Sequence, residues 1–258
     1  MEKSFGMNME QYKTYLTEVK HHNNRYFFLG INGDIETLNA KPGQFFQLKI
    51  PNSDSALLRL PISIHSIQNQ NLEFMIKKIG YGTECLSKLK SGEIIDLIGP
   101  LGNGFELTSE RKCLLVSGGI GYAPLFYLKQ KLMGNKNEVT WLHGGRDKNE
   151  VFEADLIYTD DGSKGRKGFV TEGLKDILSR SDFDMIYCCG PEIMMEKCVR
   201  ISEKFKIDIQ VSLEEYMACG IGACYGCVVP IKEGKKLKYK RVCKDGPIFW
   251  GNQVVWNE

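Results

Sequence analysis

The sequence of 258 residues has no long uninterrupted apolar run, and residues 1–10 contain no apolar core of the length that a secretory signal needs. Charge of one sign is not in excess either, because 34 basic residues are balanced by 32 acidic ones and the formal net charge is +2. The first two absences argue against a membrane-spanning helix and against export, and they predict a cytoplasmic protein. The charge balance gives no electrostatic case for nucleic acid or a membrane surface as a partner.

Cysteine, by contrast, is abundant, since the chain contains nine. Their odd number and the lack of an export signal argue against a framework of disulfides. Four of them are isolated in the sequence and are expected to be buried as small hydrophobic residues: Cys85, Cys113, Cys188 and Cys198. The other five fall within two motifs.

The pattern of apolar residues changes twice along the sequence, and the length of the chain allows two compact domains and a small appendage. Residues 1–108 contain short apolar or alternating runs punctuated by turn pairs, which predicts a small antiparallel β-barrel. Residues 109–211 alternate buried runs with helical patterns, which predicts a parallel α/β domain. Residues 212–258 have few apolar residues for their length, so this small subdomain is expected to need a bound metal for stability.

The cysteine cluster has the spacing C-x4-C-x2-C, with a fourth cysteine after fifteen more residues. Its candidate metal ligands are Cys219, Cys224, Cys227 and Cys243. This spacing is that of plant-type [2Fe–2S] ligation, and the small residues between the cysteines let the loop wrap closely and aim amides at the sulfurs. Zinc and a metal-free loop are the alternatives, although zinc sites usually show two C-x2-C pairs and only one is present.

Two glycine-containing motifs, each between a buried run and a helical pattern, predict a dinucleotide site. Glycines there let the backbone approach a pyrophosphate at a helix N-terminus. The candidate nucleotide-binding residues are Gly118, Gly119, Ile120, Gly121, Cys189, Gly190 and Pro191. Each motif alone also fits a structural role, either a tightly packed turn or a buried thiol before a turn. The two motifs in this order are more specific, and Cys189 is expected to face the cofactor crevice.

Within the predicted barrel, a strand with a hydroxyl and a neighbouring cation is typical of contact with a flavin and its phosphates. A lysine and a glycine-rich turn ahead of a short helix follow. The candidate flavin-binding residues are Arg59, Leu60, Pro61, Ile62, Ser63, Met75, Ile76, Lys77, Gly82 and Thr83. Either piece alone is also compatible with an ordinary strand and turn.

Together these motifs resemble the ferredoxin reductase superfamily, in which a flavin-binding barrel precedes a nicotinamide-binding α/β domain. Residues 212–227 (SLEEYMACGIGACYGC) and 241–249 (RVCKDGPIF) resemble the electron-transfer subunits of type B dihydroorotate dehydrogenase. Residues 41–45 (KPGQF) and 98–105 (IGPLGNGF) share that resemblance, which covers nearly the whole chain.

The resemblance implies FAD and one [2Fe–2S] cluster in this chain, which would be the NAD-reducing oxidoreductase subunit of a larger complex in pyrimidine (UMP) biosynthesis. A separate FMN-containing subunit oxidises dihydroorotate to orotate, and electrons pass through the cluster to FAD and then to NAD+. Two copies of each subunit form a heterotetramer in that family. No general base is assigned, and His65 and His143 are expected to be structural.

One position departs from the family pattern. The flavin motif resembles Arg-x-x-Ser, but Leu60 stands where the arginine is expected and Arg59 lies one residue earlier. A shift of one residue in a strand moves a side chain to the opposite face. We therefore expect FAD to be held less tightly, with Lys77 or a bulge at Pro61 as compensation.

Two questions stay open from the sequence. The alternatives of function are the FAD/[2Fe–2S] subunit of a related complex, such as NADH-dependent ferredoxin:NADP oxidoreductase or a sulfide or sulfite reductase, an iron–sulfur redox sensor, and a zinc-bound interaction module. The choice of nucleotide is also open, because Asp147 would disfavour a 2′-phosphate whereas Arg146 could accept one. The expectation is NAD.

Overall fold

The computed structural model describes residues 10–32, 39–51, 58–68 and 70–256. The expectation about a signal in residues 1–10 therefore lies almost wholly outside the described residues. Within them, no helix is both long and apolar enough to cross a membrane.

Six antiparallel strands close into a barrel in the order β1-β2-β5-β4-β3-β6, which confirms the predicted barrel. Their bounds are β1 Glu10–His21, β2 Tyr26–Asn32, β3 Phe45–Leu48, β4 Leu60–Gln68, β5 Asn71–Lys77 and β6 Ile94–Leu101. Helix α1 (Tyr81–Ser87) lies between β5 and β6 in the chain. Alternating side chains fill the interior, including Phe27, Phe46 and Phe74, which are fully buried.

The α/β domain is built on a seven-stranded sheet of order β10-β9-β8-β7-β11-β12-β15. Its parallel strands are β7 Lys112–Gly118, β8 Glu138–Gly145, β9 Leu156–Thr159, β10 Arg166–Lys167, β11 Met185–Cys189 and β12 Asp208–Ser212. Its helices are α2 Tyr122–Gly134, α3 Val170–Leu178 and α4 Glu192–Phe205. The domain packs on the barrel through α2, where the His65 ring of β4 stacks on Phe126 with centroids 4.4 Å apart.

The C-terminal segment forms a hairpin, β13 (Val228–Glu233) and β14 (Lys236–Arg241), and then returns to the large sheet as β15 (Ile248–Trp250). Strand β15 pairs antiparallel with β12, with Val211 opposite Phe249. The subdomain is thus joined to the α/β sheet by backbone hydrogen bonds. The predicted boundaries at residues 108 and 211 stay predictions, and they fall between β6 and β7 and within the last residues of β12.

Three of the four isolated cysteines, Cys113, Cys188 and Cys198, are buried as expected. The expectation is wrong for Cys85, which is only partly buried. It lies on α1, a helix of two turns whose buried face is formed by Thr83, Leu86 and Ser87 instead.

Candidate functional site

The four clustered cysteines lie in the loop between β12 and β13 and in the turn after β14. Their sulfurs form two contacting pairs, Cys219 with Cys224 and Cys227 with Cys243. Cys224 is exposed and Cys219 is half-buried, whereas Cys227 and Cys243 are buried. One pair therefore faces solvent and the other faces the protein interior.

Backbone amides of the loop point at these sulfurs. The Gly222 amide donates to Cys243 Sγ at 3.1 Å, and the Ala223 amide donates to Cys219 Sγ at 3.3 Å. The Cys224 amide reaches the same Cys219 sulfur at 3.4 Å. Such donors stabilise negative charge on thiolates and on the sulfur atoms of a bound cluster.

Two of the four thiols differ in how readily they ionise. Burial opposes ionisation of Cys219, but the surrounding hydrogen-bond donors outweigh it and lower the pKa of this thiol to about 6. Burial, followed by contact with the Cys227 thiol, raises the pKa of Cys243 to about 12. Cys219 is thus prepared as a thiolate, whereas Cys243 needs a nearby cation to lose its proton.

The cysteine set suits an iron–sulfur cluster. A [2Fe–2S] cluster takes four cysteine ligands over two irons, and the C-x4-C-x2-C spacing with a distant fourth cysteine is that of plant-type ligation. A structural zinc site usually draws its thiolates from two C-x2-C pairs, and this cysteine cluster has one.

The loop is packed closely on the flavin barrel. Gly220 has φ +68°, and a Cβ added there would lie 2.0 Å from Nε2 of Gln47 on β3. In the loop that follows β6, Asn103 Nδ2 donates to the carbonyls of Lys244 at 3.3 Å and Asp245 at 3.0 Å. The cysteine loop therefore rests on the same barrel that carries the flavin motif.

The first glycine motif forms the turn from β7 into α2. Gly121 faces the second motif so closely that a Cβ there would lie 2.2 Å from the Cys189 carbonyl oxygen. Gly119 has φ +53° and open space around its Cα. The two motifs, separated by some seventy residues in the chain, thus meet at the carboxyl ends of β7 and β11, where a dinucleotide pyrophosphate can approach bare backbone.

A cavity of about 980 Å³ opens over these motifs. The predicted residues that line it are Gly118, Gly119, Ile120, Gly121, Gly190, Pro191 and, from the barrel, Lys77. Cys189 is not among them. Its thiol is 1% exposed and lies near the Ser212 carbonyl, and burial raises its pKa strongly. Only the Cys189 backbone contacts the loop, because the side chain points into the core between the domains.

Other residues of this cavity were missed at the level of sequence. They include Arg146, for which the sequence raised only the choice of nucleotide, and Glu150, Asp160, Phe169, Ile193, Lys197 and Glu214. Glu214 is reached by solvent through the cavity, yet the protein around it raises the pKa of its carboxyl. The turn pattern Asp160-Asp161-Gly162 after a short apolar run is the one signal that could have indicated a cavity residue.

The flavin candidates lie close together on β4, β5 and α1, but their side chains do not share one face: Met75 is buried toward the α/β domain and Ile76 in the barrel interior. Residues 60–63 open β4, residues 75–77 end β5, and Gly82 and Thr83 lie in the first turn of α1. Large apolar side chains are exposed around this region, with Leu58 at 55% and Ile79 at 79%. Exposed apolar side chains of this kind suit a site for an aromatic cofactor such as FAD, whose ring system would cover them.

The two cationic side chains among the flavin candidates already form ion pairs with carboxylates of the protein. Arg59 pairs with Asp96 at 2.8 Å and donates to backbone carbonyls of β3 and β6. Lys77 pairs with Glu150 at 2.9 Å. The Leu60 side chain packs against Gly82, where a Cβ would lie 2.9 Å from Leu60 Cδ1. An arginine at position 60 would thus stand beside α1, and no cation replaces it among positions 59, 60 and 77.

Thr83 also has a local partner. Its hydroxyl oxygen accepts the amide protons of Ile79 at 2.9 Å and Gly80 at 3.2 Å, and it donates to the Gly80 carbonyl. The predicted phosphate contact from this hydroxyl therefore competes with capping of α1.

The two buried histidines have structural partners. Nδ1 of His143 lies 2.7 Å from Ser117 Oγ, which also accepts the Trp141 indole proton at 2.8 Å. Nδ1 of His65 lies 3.3 Å from the Ala123 carbonyl. Burial lowers the pKa of both histidines to about 4, so both rings are neutral at physiological pH.

Three family models match successive parts of the chain. The iron-sulfur cluster binding domain of dihydroorotate dehydrogenase B matches residues 214–255, an oxidoreductase FAD-binding domain matches residues 14–105, and an oxidoreductase NAD-binding domain matches residues 115–200. The cysteine loop, the flavin face and both glycine motifs each lie within the corresponding match.

Two relatives are named as electron transfer subunits of dihydroorotate dehydrogenase B (NAD(+)). One, from Clostridium acetobutylicum, is 40% identical over 239 residues, which cover 89% of this chain and 91% of that protein. The other, from Caldanaerobacter subterraneus subsp. tengcongensis, is 39% identical over 223 residues, which cover 83% and 87%.

Solved structures share the architecture. That of an NADH-dependent reduced ferredoxin-NADP oxidoreductase matches with a TM-score of 0.82 at 30% identity, over 94% of this chain and 90% of the other. A ferredoxin reductase of carbazole 1,9a-dioxygenase matches with a TM-score of 0.66 at 19% identity, over 77% and 67%, and shares the fold.

Proposed function

Since the chain belongs to the family of electron-transfer subunits of dihydroorotate dehydrogenase B (NAD(+)), we propose that it passes electrons from dihydroorotate oxidation through a [2Fe–2S] cluster and FAD to NAD+. Dihydroorotate is oxidised in a separate FMN-containing catalytic subunit, and the reaction serves pyrimidine biosynthesis. The predicted heterotetramer of two plus two subunits and the cytoplasmic location stay predictions.

The observation that carries this proposal is that both other sites border the flavin barrel. The cysteine loop is packed on it at Gln47, and the nucleotide cavity reaches it at Lys77. When bound, FAD exchanges electron pairs with a nicotinamide and single electrons with an iron–sulfur cluster. A chain that carries both other sites on one flavin barrel is arranged for that exchange.

The protein's own contribution is positioning. The four cysteines would hold the cluster, the loop amides would stabilise its charge, and the glycine motifs would hold the nucleotide pyrophosphate at the end of the sheet. The neutral, buried states of His65 and His143 support a structural role for both rather than proton transfer.

The solvent-facing side of the cysteine loop supports a protein partner. Cys224 is exposed there, Tyr216 is 95% exposed and Tyr225 is 60% exposed. The Arg241 guanidinium lies 4.6 Å above the Tyr225 ring and donates to the Gly222 carbonyl at 2.8 Å, which fixes the loop from behind. An electron donor that approaches from solvent meets this side of the loop first, and exposed tyrosines are typical interface residues.

The test is an absorption spectrum of the anaerobically purified complex of this chain and its catalytic subunit, before and after dihydroorotate. We expect the flavin and iron–sulfur bands to bleach with dihydroorotate and to recover with NAD+. Bleaching with NADH but never with dihydroorotate, in a complex that contains FMN, would remove dihydroorotate as the donor. Iron analysis of the same sample distinguishes a lost cluster from a wrong assignment.

A second candidate is the corresponding subunit of an NADH-dependent ferredoxin:NADP oxidoreductase, which the match at 30% identity over 94% of the chain favours. The same complex would then reduce NADP+ with electrons from NADH and reduced ferredoxin and would not respond to dihydroorotate. NADPH formation from NADH and reduced ferredoxin, measured beside the dihydroorotate experiment, decides between the two.

A further inference from the structure

We propose that the side-chain amide of Gln47 stabilises the reduced state of the [2Fe–2S] cluster from the barrel side and so raises the reduction potential of the cluster. The inference rests on the proposed function, because it concerns the cluster that the four cysteines would hold. Gln47 belongs to the barrel and not to the cysteine loop. The flavin domain itself would therefore contribute to the redox properties of the cluster.

The alternation of side chains along β3 directs Gln47 toward the cysteine loop. The side chains of Phe46 and Leu48 are buried in the barrel core, so the side chain of Gln47 between them points outward. On that outer face its antiparallel neighbour in β4 is Pro61, a flavin candidate. Gln47 is nevertheless only 1% exposed, because the cysteine loop covers it. A neutral polar side chain is thus enclosed between the barrel and the loop.

The amide nitrogen of this side chain faces the loop. Gln47 Nε2 lies against Gly220, where a Cβ would collide with it, and it donates to the Met217 sulfur at 3.9 Å. Gly220 directly follows the candidate ligand Cys219, and Met217 precedes that ligand by two residues. A thioether is a weak acceptor. Most of the partial positive charge on Nε2 is therefore available to the negative charge of a cluster held by this loop.

The carbonyl end of the same amide is unpaired. Gln47 Oε1 is buried and has no hydrogen-bond partner within the ranges that the structure describes. A buried polar atom without a partner lowers stability, and an apolar side chain of similar shape would avoid that loss. Departures of this kind concentrate at functional sites. An unpaired amide between the barrel and the candidate cluster ligands therefore indicates a role other than stability.

The backbone of Gln47 is fixed, which holds the amide in place. Arg59 Nη1 donates to the Gln47 carbonyl at 3.4 Å, and the same guanidinium pairs with Asp96 at 2.8 Å. Strand β3 is also paired on both edges, with β4 and with β6. A fixed dipole in a site that excludes water acts on a nearby charge with little screening. Because reduction adds one negative charge to the cluster, a dipole with its positive end toward the loop favours the reduced state.

The experiment is a redox titration of the anaerobically purified complex of this chain and its catalytic subunit. The EPR signal of the reduced cluster reports its potential, and chemical analysis reports iron and acid-labile sulfide. Gln47→Met keeps the length and the unbranched shape of the side chain but removes the amide. We expect the equilibrium constant for reduction of the cluster to fall about tenfold, which is about 59 mV for one electron. The stability of the variant to denaturant should not fall, because the unpaired carbonyl is removed with the donor.

Gln210→Met is the matched control. Gln210 is a second buried glutamine, at 2% exposure, but its Oε1 accepts the Glu106 amide proton at 3.0 Å. Its replacement should lower stability, because that amide loses its acceptor, and should leave the cluster potential unchanged. A Gln47 that served only the fold would behave as Gln210 does. An unchanged potential in Gln47→Met would overturn the inference, as would an equal shift in the two variants.

Gln47→Leu is measured in the same way if Gln47→Met does not load the cluster. Loss of iron from both variants would also overturn the inference, since Gln47 would then be needed to form the site and not to set its potential. If the unmodified complex holds no iron and sulfide, even after reconstitution, the cluster assignment and the proposed function are refuted. If the unmodified complex holds the cluster and responds to dihydroorotate while Gln47→Met has the same potential, only the role of Gln47 is refuted.

Discussion

The cysteine loop and the flavin face differ in where their binding groups come from. The loop takes its sulfurs and amides from two short stretches of chain, and three of its four cysteines lie within nine residues. The candidate cations of the flavin face are Arg59, just before β4, and Lys77, at the end of β5, and both are paired with carboxylates from elsewhere in the fold. A site made of contiguous backbone is thus fixed by local sequence, whereas a site made of side-chain charges depends on every partner that the fold brings near.

The largest effect is expected when one buried cysteine of the cysteine loop is replaced, which tests whether local sequence fixes this site. Cys227→Ser should abolish cluster binding, because a serine hydroxyl does not replace a buried thiolate as an iron ligand. Iron and acid-labile sulfide in the anaerobically purified chain should fall to background. Cys113→Ser, at a buried thiol of β7 outside the loop, is the control and should retain both. Full iron content in Cys227→Ser would refute the assignment of ligands.

The next largest effect is expected at the glycine motif, which is also made of local backbone. Gly121→Ala would place a Cβ 2.2 Å from the Cys189 carbonyl oxygen, so the turn must shift. We expect ADP-ribose to bind at least about 100-fold more weakly and the free energy of unfolding to fall by about 1–3 kcal/mol. Gly134→Ala, at the other end of α2 with open space around it, should bind normally. Equal binding by the two variants would contradict the close approach.

Acid should weaken the barrel–α/β junction before it affects the ion pairs around Glu150. Burial lowers the pKa of His65 and His143 to about 4, so below about pH 6.5 the unfolded chain binds more protons than the folded one. The contribution of the two histidines to stability is therefore constant above this range and falls as the pH drops toward 4, by up to about 3 kcal/mol per histidine.

Denaturant unfolding between pH 7 and pH 4.5 measures this slope. The window lies above the range in which Glu150 titrates, since its pKa is lowered to about 2 and its contribution is lost only as the pH falls from about 4.5 through that value. His143→Asn, which keeps an acceptor toward Ser117, should remove about half of the part of the slope that the two histidines contribute. A slope that the variant leaves intact would show that His143 is not buried in its neutral form.

The smallest effect is expected from changing the cations at the flavin face. Leu60→Arg restores a cation beside Gly82 and α1, and it should tighten FAD binding about tenfold through a charge-assisted contact with the cofactor phosphates. Arg59→Leu should leave FAD affinity unchanged and lower stability, because Arg59 is held by Asp96. Fluorescence titration of the cofactor-free chain with FAD measures both. A loss of FAD affinity in Arg59→Leu would mean that Arg59 reaches the phosphates after all.

Features that depend on contiguous residues could be predicted from the sequence, whereas features that depend on distant side chains could not. The buried runs at β7, β8, β11 and β12 and the cysteine spacing each carry their signal within a few residues, and the barrel, the α/β sheet and the small subdomain are confirmed. Strands β9 and β10 were missed because four and two residues are too short for a periodic signal.

The ionic cluster around Glu150 could not be predicted at all. Its members Arg25, Lys77 and Arg146 come from two domains, and the nearest of them in the barrel is 73 residues away in the chain. The sequence also did not show that the Cys189 thiol points inward. Strand β11 is covered on both faces, so its residues are apolar throughout and the sequence does not tell which face its last side chain occupies.

The return of β15 to the large sheet covers an edge that would otherwise be open. Strand β12 would be an open edge of parallel sheet without β15, and the chain reaches β15 only after passing through the cysteine loop and the β13–β14 hairpin. Open, apolar sheet edges are templates for pairing with other molecules. A substitution that unfolded the cysteine loop or the hairpin would therefore present β12 to neighbouring molecules and promote aggregation.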